Sequence, residues 1–198
     1  MPPVFTDRND PKLINMIRSG AVGVLPTDTI YGVVAAADNP LAVAKLYELK
    51  NRERKPGTTI ASSVQQLQVL GLDAASLKQA SRFWPAPLSI VLPQGQKLAY
   101  LHQGVGESPF RVVADQPTRE FLEKTGPLVT SSANRPTEPP ATNVRQAQDY
   151  FGNRVDYYVD GGETGERPPS TIAGLQSDGG LRIFRQGAAV IDPKDRAQ

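Results

Sequence analysis

Four cations stand within six residues at Lys50-Asn51-Arg52-Glu53-Arg54-Lys55, and Pro56-Gly57 follows at once. Three readings compete for such a run. It can be the solvated end of a helix, where cations offset the partial negative charge of the last carbonyls. It can be a strip that grips nucleic acid, or a cradle for phosphates. A helix end accounts for one or two cations; four exceed it, and the Pro-Gly pair would stiffen the loop that carries them.

Other polar stretches raise the same question. Pro26-Thr27-Asp28-Thr29-Ile30-Tyr31-Gly32 places hydroxyls and a carboxylate between two apolar runs. That is either a turn whose side chains bond the backbone, or a rim at strand ends where α/β proteins bind small ligands. Thr130-Ser131-Ser132-Ala133-Asn134 follows another apolar run, and Arg135-Pro136 with Pro139-Pro140 delay any helix it could cap. Its hydroxyls and amide could then hydrogen-bond phosphate or ribose. Ser170-Thr171 and Arg185, just before Gly187, complete the set. Each has an ordinary structural reading alone; their repetition at the ends of apolar runs argues for a site.

Much chemistry is excluded. The chain has no cysteine and one histidine, His102, so neither a thiolate site nor a multi-histidine metal centre forms, and a triad would need His102 as its base. No P-loop pattern occurs, and Gly104-Val105-Gly106-Glu107-Ser108-Pro109 lacks the third glycine of a dinucleotide fingerprint, so it reads as a flexible loop. Asp28, Asp115 and Asp160 are too separated to infer a carboxylate pair. A net charge of only +2, despite a pI of about 8.9, argues for a local basic site rather than a coat for nucleic acid. What remains is positioning by cations and hydroxyls, with a phosphoanhydride supplying the driving force, which suits nucleotidyl transfer.

The elements that must position these residues alternate along 198 residues, enough for one domain with a sizeable core. Asn9-Asp10-Pro11 opens a helix with Leu13, Ile14 and Ile17 on one face, closed by Gly20; Asn39-Pro40 opens a second, which delivers Lys50 and Arg52 at its end. Further helices are expected over 64–70, 75–83, 118–124 and 143–151. Strands are expected over 21–26, 31–37, 58–62, 88–92, 110–114, 127–132, 155–159, 170–175 and 181–184. The class is α/β, a single domain over 1–190 with a frayed polar tail over 191–198. The polar start and the absence of an apolar run of roughly 18 residues read as a soluble, cytoplasmic protein without a membrane segment.

Taken together, Pro26–Gly32, the K-x-R of Leu46–Arg52, Trp84–Pro93, Phe110–Pro117, the S-x-N of Thr130–Asn134, Pro168–Ile172 and Phe184–Ala188 resemble, in order, the YrdC/Sua5 family of L-threonylcarbamoyladenylate synthases. The resemblance spans Ala21 to Ala188. It implies a twisted, mixed but mostly parallel sheet with flanking helices around a positively charged cavity, in the short single-domain form. It implies that L-threonine, bicarbonate and ATP give threonylcarbamoyl-AMP and pyrophosphate, for threonylcarbamoyladenosine (t6A) modification of tRNA. Mg²⁺ would arrive on ATP, and the product would pass to tRNA or a tRNA-modifying complex. By position, Lys50 and Arg52 would be catalytic and bind ATP with Asn134, Thr142 and Arg185. Thr29, Arg111, Ser132 and Ser170 would hold threonine, Arg111 facing its carboxylate, with Thr27, Tyr31 and Thr59 as further wall residues. Glu53, where the family usually has proline, would lie beside the polyphosphate, and Arg135-Pro136 replaces the usual Ser-Gly. The alternatives are a non-catalytic RNA-binding module using the same basic cavity, and a carbamoyl-adenylate enzyme like part of the hydrogenase maturation proteins.

Overall fold

The computed structural model describes residues 1–195, so residues 196–198 of the expected tail lie outside the described residues. In chain order the elements are β1 (Val4–Phe5), α1 (Pro11–Arg18), β2 (Gly23–Pro26), β3 (Tyr31–Ala36), α2 (Pro40–Leu49), β4 (Thr58–Ala61), α3 (Val64–Leu70) and α4 (Ala74–Ser81). Then follow β5 (Leu88–Pro93), α5 (Ala99–His102), β6 (Glu107–Val112), α6 (Gln116–Thr125), β7 (Leu128–Ser132), α7 (Val144–Phe151), β8 (Tyr157–Val159), β9 (Thr171–Leu175) and β10 (Leu181–Arg185). Asp10, Asn39 and Ser63 cap α1, α2 and α3 through their side chains, so each helix starts where its capping residue places it.

All ten strands form one sheet, ordered β1-β8-β2-β3-β7-β4-β6-β5-β9-β10. It is mixed, but not mostly parallel: four pairings are parallel and five antiparallel. The short Thr27–Ile30 turn makes β2 and β3 antiparallel neighbours, and β7 inserts between β3 and β4 antiparallel to both.

Both faces of the central strand β3 are buried, as its continuous apolar run Val33-Val34-Ala35-Ala36 requires. One core packs Val24, Val33, Ala35 and Val129 with Leu46, Leu67 and Phe151 of the helices. The other packs Leu25, Val34, Ala36, Ile60 and Leu128 with Leu13, Ile17, Phe121 and Leu122 of α1 and α6. The tail does not begin frayed: Ile191 is buried in the first core, and Asp195 accepts from Arg82 at 3.1 Å. Among the described residues no helix is long and apolar enough to cross a membrane.

Candidate functional site

Strand parity builds the site. Residues two apart on a strand share a face, and paired residues of neighbouring strands share it too. Leu25 pairs with Gly32, Gly32 with Ser132, Val34 with Thr130, Thr130 with Thr58, and Leu128 with Ile60. The face that carries Leu25, Val34, Leu128 and Ile60 into the second core therefore also carries Gly32, Thr58, Thr130 and Ser132. Helices α1 and α6 cover one half of that face. The other half is a cavity of about 190 Å³ whose walls include Thr27, Thr29, Arg52, Thr58, Arg111, Thr130, Ser132, Ser170 and Arg185. The polar residues thus lie across a sheet face rather than only at strand ends.

Two backbone features shape this cavity. A Cβ on Gly32 would collide with Thr130 Oγ1, so the missing side chain keeps the floor open. On β10 the register shifts between Ile183, opposite Ala173, and Arg185, opposite Ile172. That irregularity brings Arg185 to the parity of Ile172, itself a wall residue, as bulges commonly re-aim a side chain.

Six of the expected residues meet in this cavity: Thr29, Arg52, Arg111, Ser132, Ser170 and Arg185, with Thr27 beside them. Burial lowers the Arg52 guanidinium from its ordinary value; burial, then Arg111 and Arg52, lower that of Arg185. Like charges crowd together there, a repulsion that an anion would relieve. Among the described residues no aspartate or glutamate lines the cavity. Arg111 is nonetheless ion-paired, its Nη2 donating to Asp28 Oδ1 at 2.7 Å.

Lys50 and Asn134 reach the site indirectly. Lys50 Nζ donates to Ser132 O and Asn134 Oδ1, each at 3.0 Å, and to Asn134 O. Ser132 Oγ donates to Asn134 Oδ1 at 2.7 Å. All three ammonium hydrogens can be engaged by the loop that presents Ser132, so Lys50 stands behind the wall as its clasp. Burial, then Arg52 and Arg154, bring its ammonium down to about 8.

Thr142 lines a separate cavity of about 680 Å³ that shares Ile30 and Pro140 with the first. Tyr31 and Thr59 are not wall residues of the first cavity, because the parity that sends Gly32 and Thr58 there sends them to the opposite face. The Tyr31 hydroxyl instead donates to Gly162 O at 2.9 Å and accepts from Gly161 N at 3.0 Å. Glu53, Arg54 and Lys55 are exposed and do not line the cavity, which moves the expected acid away from the anion site. Arg135 binds the carbonyls of Asp149 and Tyr150 at the end of α7 and stacks over the Tyr150 ring, a structural use for this family departure.

Sequence reasoning passed over Gln103. Its Oε1 accepts from Lys55 N at 2.9 Å and its Nε2 donates to Arg52 O at 2.8 Å, so it clasps the basic loop. The segment read as a flexible loop is ordered by hydrogen bonds. His102 Nδ1 accepts from Gly104 N at 3.1 Å and Gly106 N at 3.0 Å, and β6 begins at Glu107. His102 is thereby a backbone fixture rather than a base. Gln103→Ala is expected to weaken the binding of pyrophosphate, as an anion probe of the cavity, about tenfold by freeing the loop that carries Arg52. Calorimetry with pyrophosphate checks this, and unaltered binding would remove Gln103 from the site.

Among the described residues no group of three or more His, Asp or Glu gathers as a metal site. The donors on the cavity walls, guanidinium and hydroxyl, suit anions rather than a resident cation.

A family model described as "Telomere recombination", for Sua5, YciO and YrdC proteins, matches residues 15–187. The threonylcarbamoyl-AMP synthase of Chromohalobacter salexigens is 36% identical over 171 residues, 84% of this chain and 92% of that one. That of Vibrio campbellii is 29% identical over 187 residues, covering 91% of this chain and 100% of that one. Among solved structures, P. abyssi Sua5 complexed with L-threonine superposes with a TM-score of 0.78 at 27% identity. The match covers 94% of this chain but only 57% of that protein. E. coli YciO shares the fold, with a TM-score of 0.79 at 20% identity over 98% of this chain and 99% of that one.

Proposed function

This chain belongs to the Sua5/YciO/YrdC family, and on that premise we propose that it is a threonylcarbamoyl-AMP synthase, a nucleotidyltransferase. The observation that carries the reading is the joint presence of Arg52, Arg111, Arg185, Thr29, Ser132 and Ser170 on one small cavity. Cations and hydroxyls converge there as an amino acid and a polyphosphate require.

In the proposed reaction the threonine amine adds to the carbon derived from bicarbonate, releasing water and giving a carbamate. One carbamate oxygen attacks the α-phosphorus of ATP. The bond to the β-phosphate oxygen breaks, and pyrophosphate leaves. ATP enters as its Mg²⁺ complex, so the metal is part of the substrate. Arg52 and Arg185 hold the polyphosphate and the charge that grows on the leaving pyrophosphate. Thr29, Ser132, Ser170 and Arg111 hold threonine. Thr142 and the neighbouring larger cavity take the nucleoside, while Lys50 and Asn134 shape the wall between the substrates. The positive character of the cavity, a cytoplasmic setting and transfer of the product toward tRNA t6A modification belong to the same proposal.

Pyrophosphate release with threonine and bicarbonate each left out in turn tests it. Release is expected only when both are present; release with ATP alone would contradict the reaction. A folded protein that binds RNA but releases no pyrophosphate would favour the non-catalytic alternative. Ser132→Ala is expected to raise the threonine KM about tenfold while the ATP KM stays near that of the parent, since one hydroxyl contact is lost. Lys50 and Asn134 remain bonded to each other in that variant, which limits the effect on the wall.

A further inference from the structure

Among the described residues three arginines line the cavity, and one of them has an acidic partner. Arg52 and Arg185 form no ion pair among the described residues, whereas Arg111 is paired with Asp28. Both partners are deeply buried, with side chains 2% and 4% exposed. Asp28 does not line the cavity, although its neighbours Thr27 and Thr29 do, so it stands behind Arg111. Arg111 Nη1 donates to Ser89 Oγ at 3.0 Å, and Ser89 Oγ donates to Ser170 Oγ at 3.0 Å. The Nε of Arg111 is buried and has no partner among the described residues. Bonds at both Nη1 and Nη2 fix the plane of the guanidinium in the cavity wall that Arg111 lines.

We propose that Asp28 sorts the two anionic substrates within the cavity: it neutralises and orients Arg111 for the single carboxylate of an amino acid, leaving Arg52 and Arg185 for polyphosphate. Ser89 is the second positioning residue and fixes the rotation of the same guanidinium. This rests on the proposed reaction for the identity of the two substrates. The physical reason is charge discrimination. Beside a carboxylate, a buried guanidinium still donates hydrogen bonds but no longer presents the unbalanced charge that attracts a multiply charged phosphate. Without Asp28, Arg111 would be an uncompensated buried cation open to any anion.

The experiment compares the parent with Asp28→Asn, Asp28→Glu and Ser89→Ala. Asp28→Asn is expected to raise the threonine KM at least about tenfold, the scale of one charged hydrogen bond, and to make pyrophosphate a competitor of threonine. Asp28→Glu keeps the charge and should restore exclusion of pyrophosphate even where its threonine KM stays raised. Ser89→Ala should raise the threonine KM alone; being a small change, it keeps the test available if Asp28→Asn fails to fold. Unchanged threonine KM in the folded variants, or an equal rise for ATP and threonine, would overturn the proposal.

Calorimetry with pyrophosphate alone separates this from failure of the proposed reaction. If the parent shows no threonine-dependent turnover, the reaction falls, yet Asp28→Asn is still expected to bind an additional pyrophosphate. The same stoichiometry in parent and variant would overturn anion sorting by itself.

Discussion

Arg52→Ala is expected to lower pyrophosphate release about a thousandfold while the protein stays folded, the scale of removing a fixed donor from developing negative charge. Arg52 projects from the loop after α2 into the cavity, where its Nη1 already donates to Lys55 O at 3.1 Å and Pro56 O at 3.2 Å. Those bonds aim the guanidinium and leave its other hydrogens for the substrate. The stability it contributes is smaller, about 1–3 kcal/mol for the bonds it makes within its own loop. Arg52→Lys is expected to recover little, since an ammonium cannot reproduce a fork held by two carbonyls. Single-turnover rates with a thermal melt of each variant check this. Near-normal rates in Arg52→Ala would remove the arginine from the phosphate site.

Lys50→Ala should be nearly as damaging to turnover but for another reason, and should also cost about 1–3 kcal/mol of stability by leaving part-buried oxygens of Ser132 and Asn134 unpaired. The pH dependence distinguishes a clasp from a general loss of folding. The folded ammonium titrates at about 8, below the ordinary lysine value of 10.5. Between these values the unfolded chain binds more protons at this group, so its contribution to stability rises with pH there. Activity is expected to move in the opposite direction, falling as pH passes about 8, because a neutral amine has two hydrogens for three acceptors. Rate and unfolding profiles measured together across this window test the pair. Lys50→Arg should lose the alkaline fall, and a fall that persists in that variant assigns it to another group.

The local elements were legible because their signals are local. Asp10 and Asn39 cap the helices that the sequence places after them, and the apolar runs at Val33–Ala36 and Leu88–Leu92 become strands. The two-residue strand β1 and the four-residue helix α5 carry no comparable periodicity. Strand order is set by contacts between distant segments, so β7 entering antiparallel between β3 and β4 left no mark in either sequence stretch.

Site residues were legible by type and motif but not by orientation. Thr58 and Thr130 lie in segments read correctly as strands, yet only the register shows that both face the cavity. Tyr31 and Thr59 sit one position away from wall residues and therefore point elsewhere. Lys50 stood out as a cation, but its engagement by Ser132 and Asn134 depends on how two loops more than eighty residues apart meet. The same holds for Asp28, which looked like a turn residue and is instead the partner of Arg111.

Labelled bicarbonate, followed in the presence of L-threonine, Mg²⁺ and ATP, identifies the nucleotide that carries the label. The synthase reaction places label in threonylcarbamoyl-AMP, in step with pyrophosphate and only when threonine is present. Pyrophosphate without a labelled nucleotide, or no labelled nucleotide from a folded protein that binds both ATP and threonine, would contradict it.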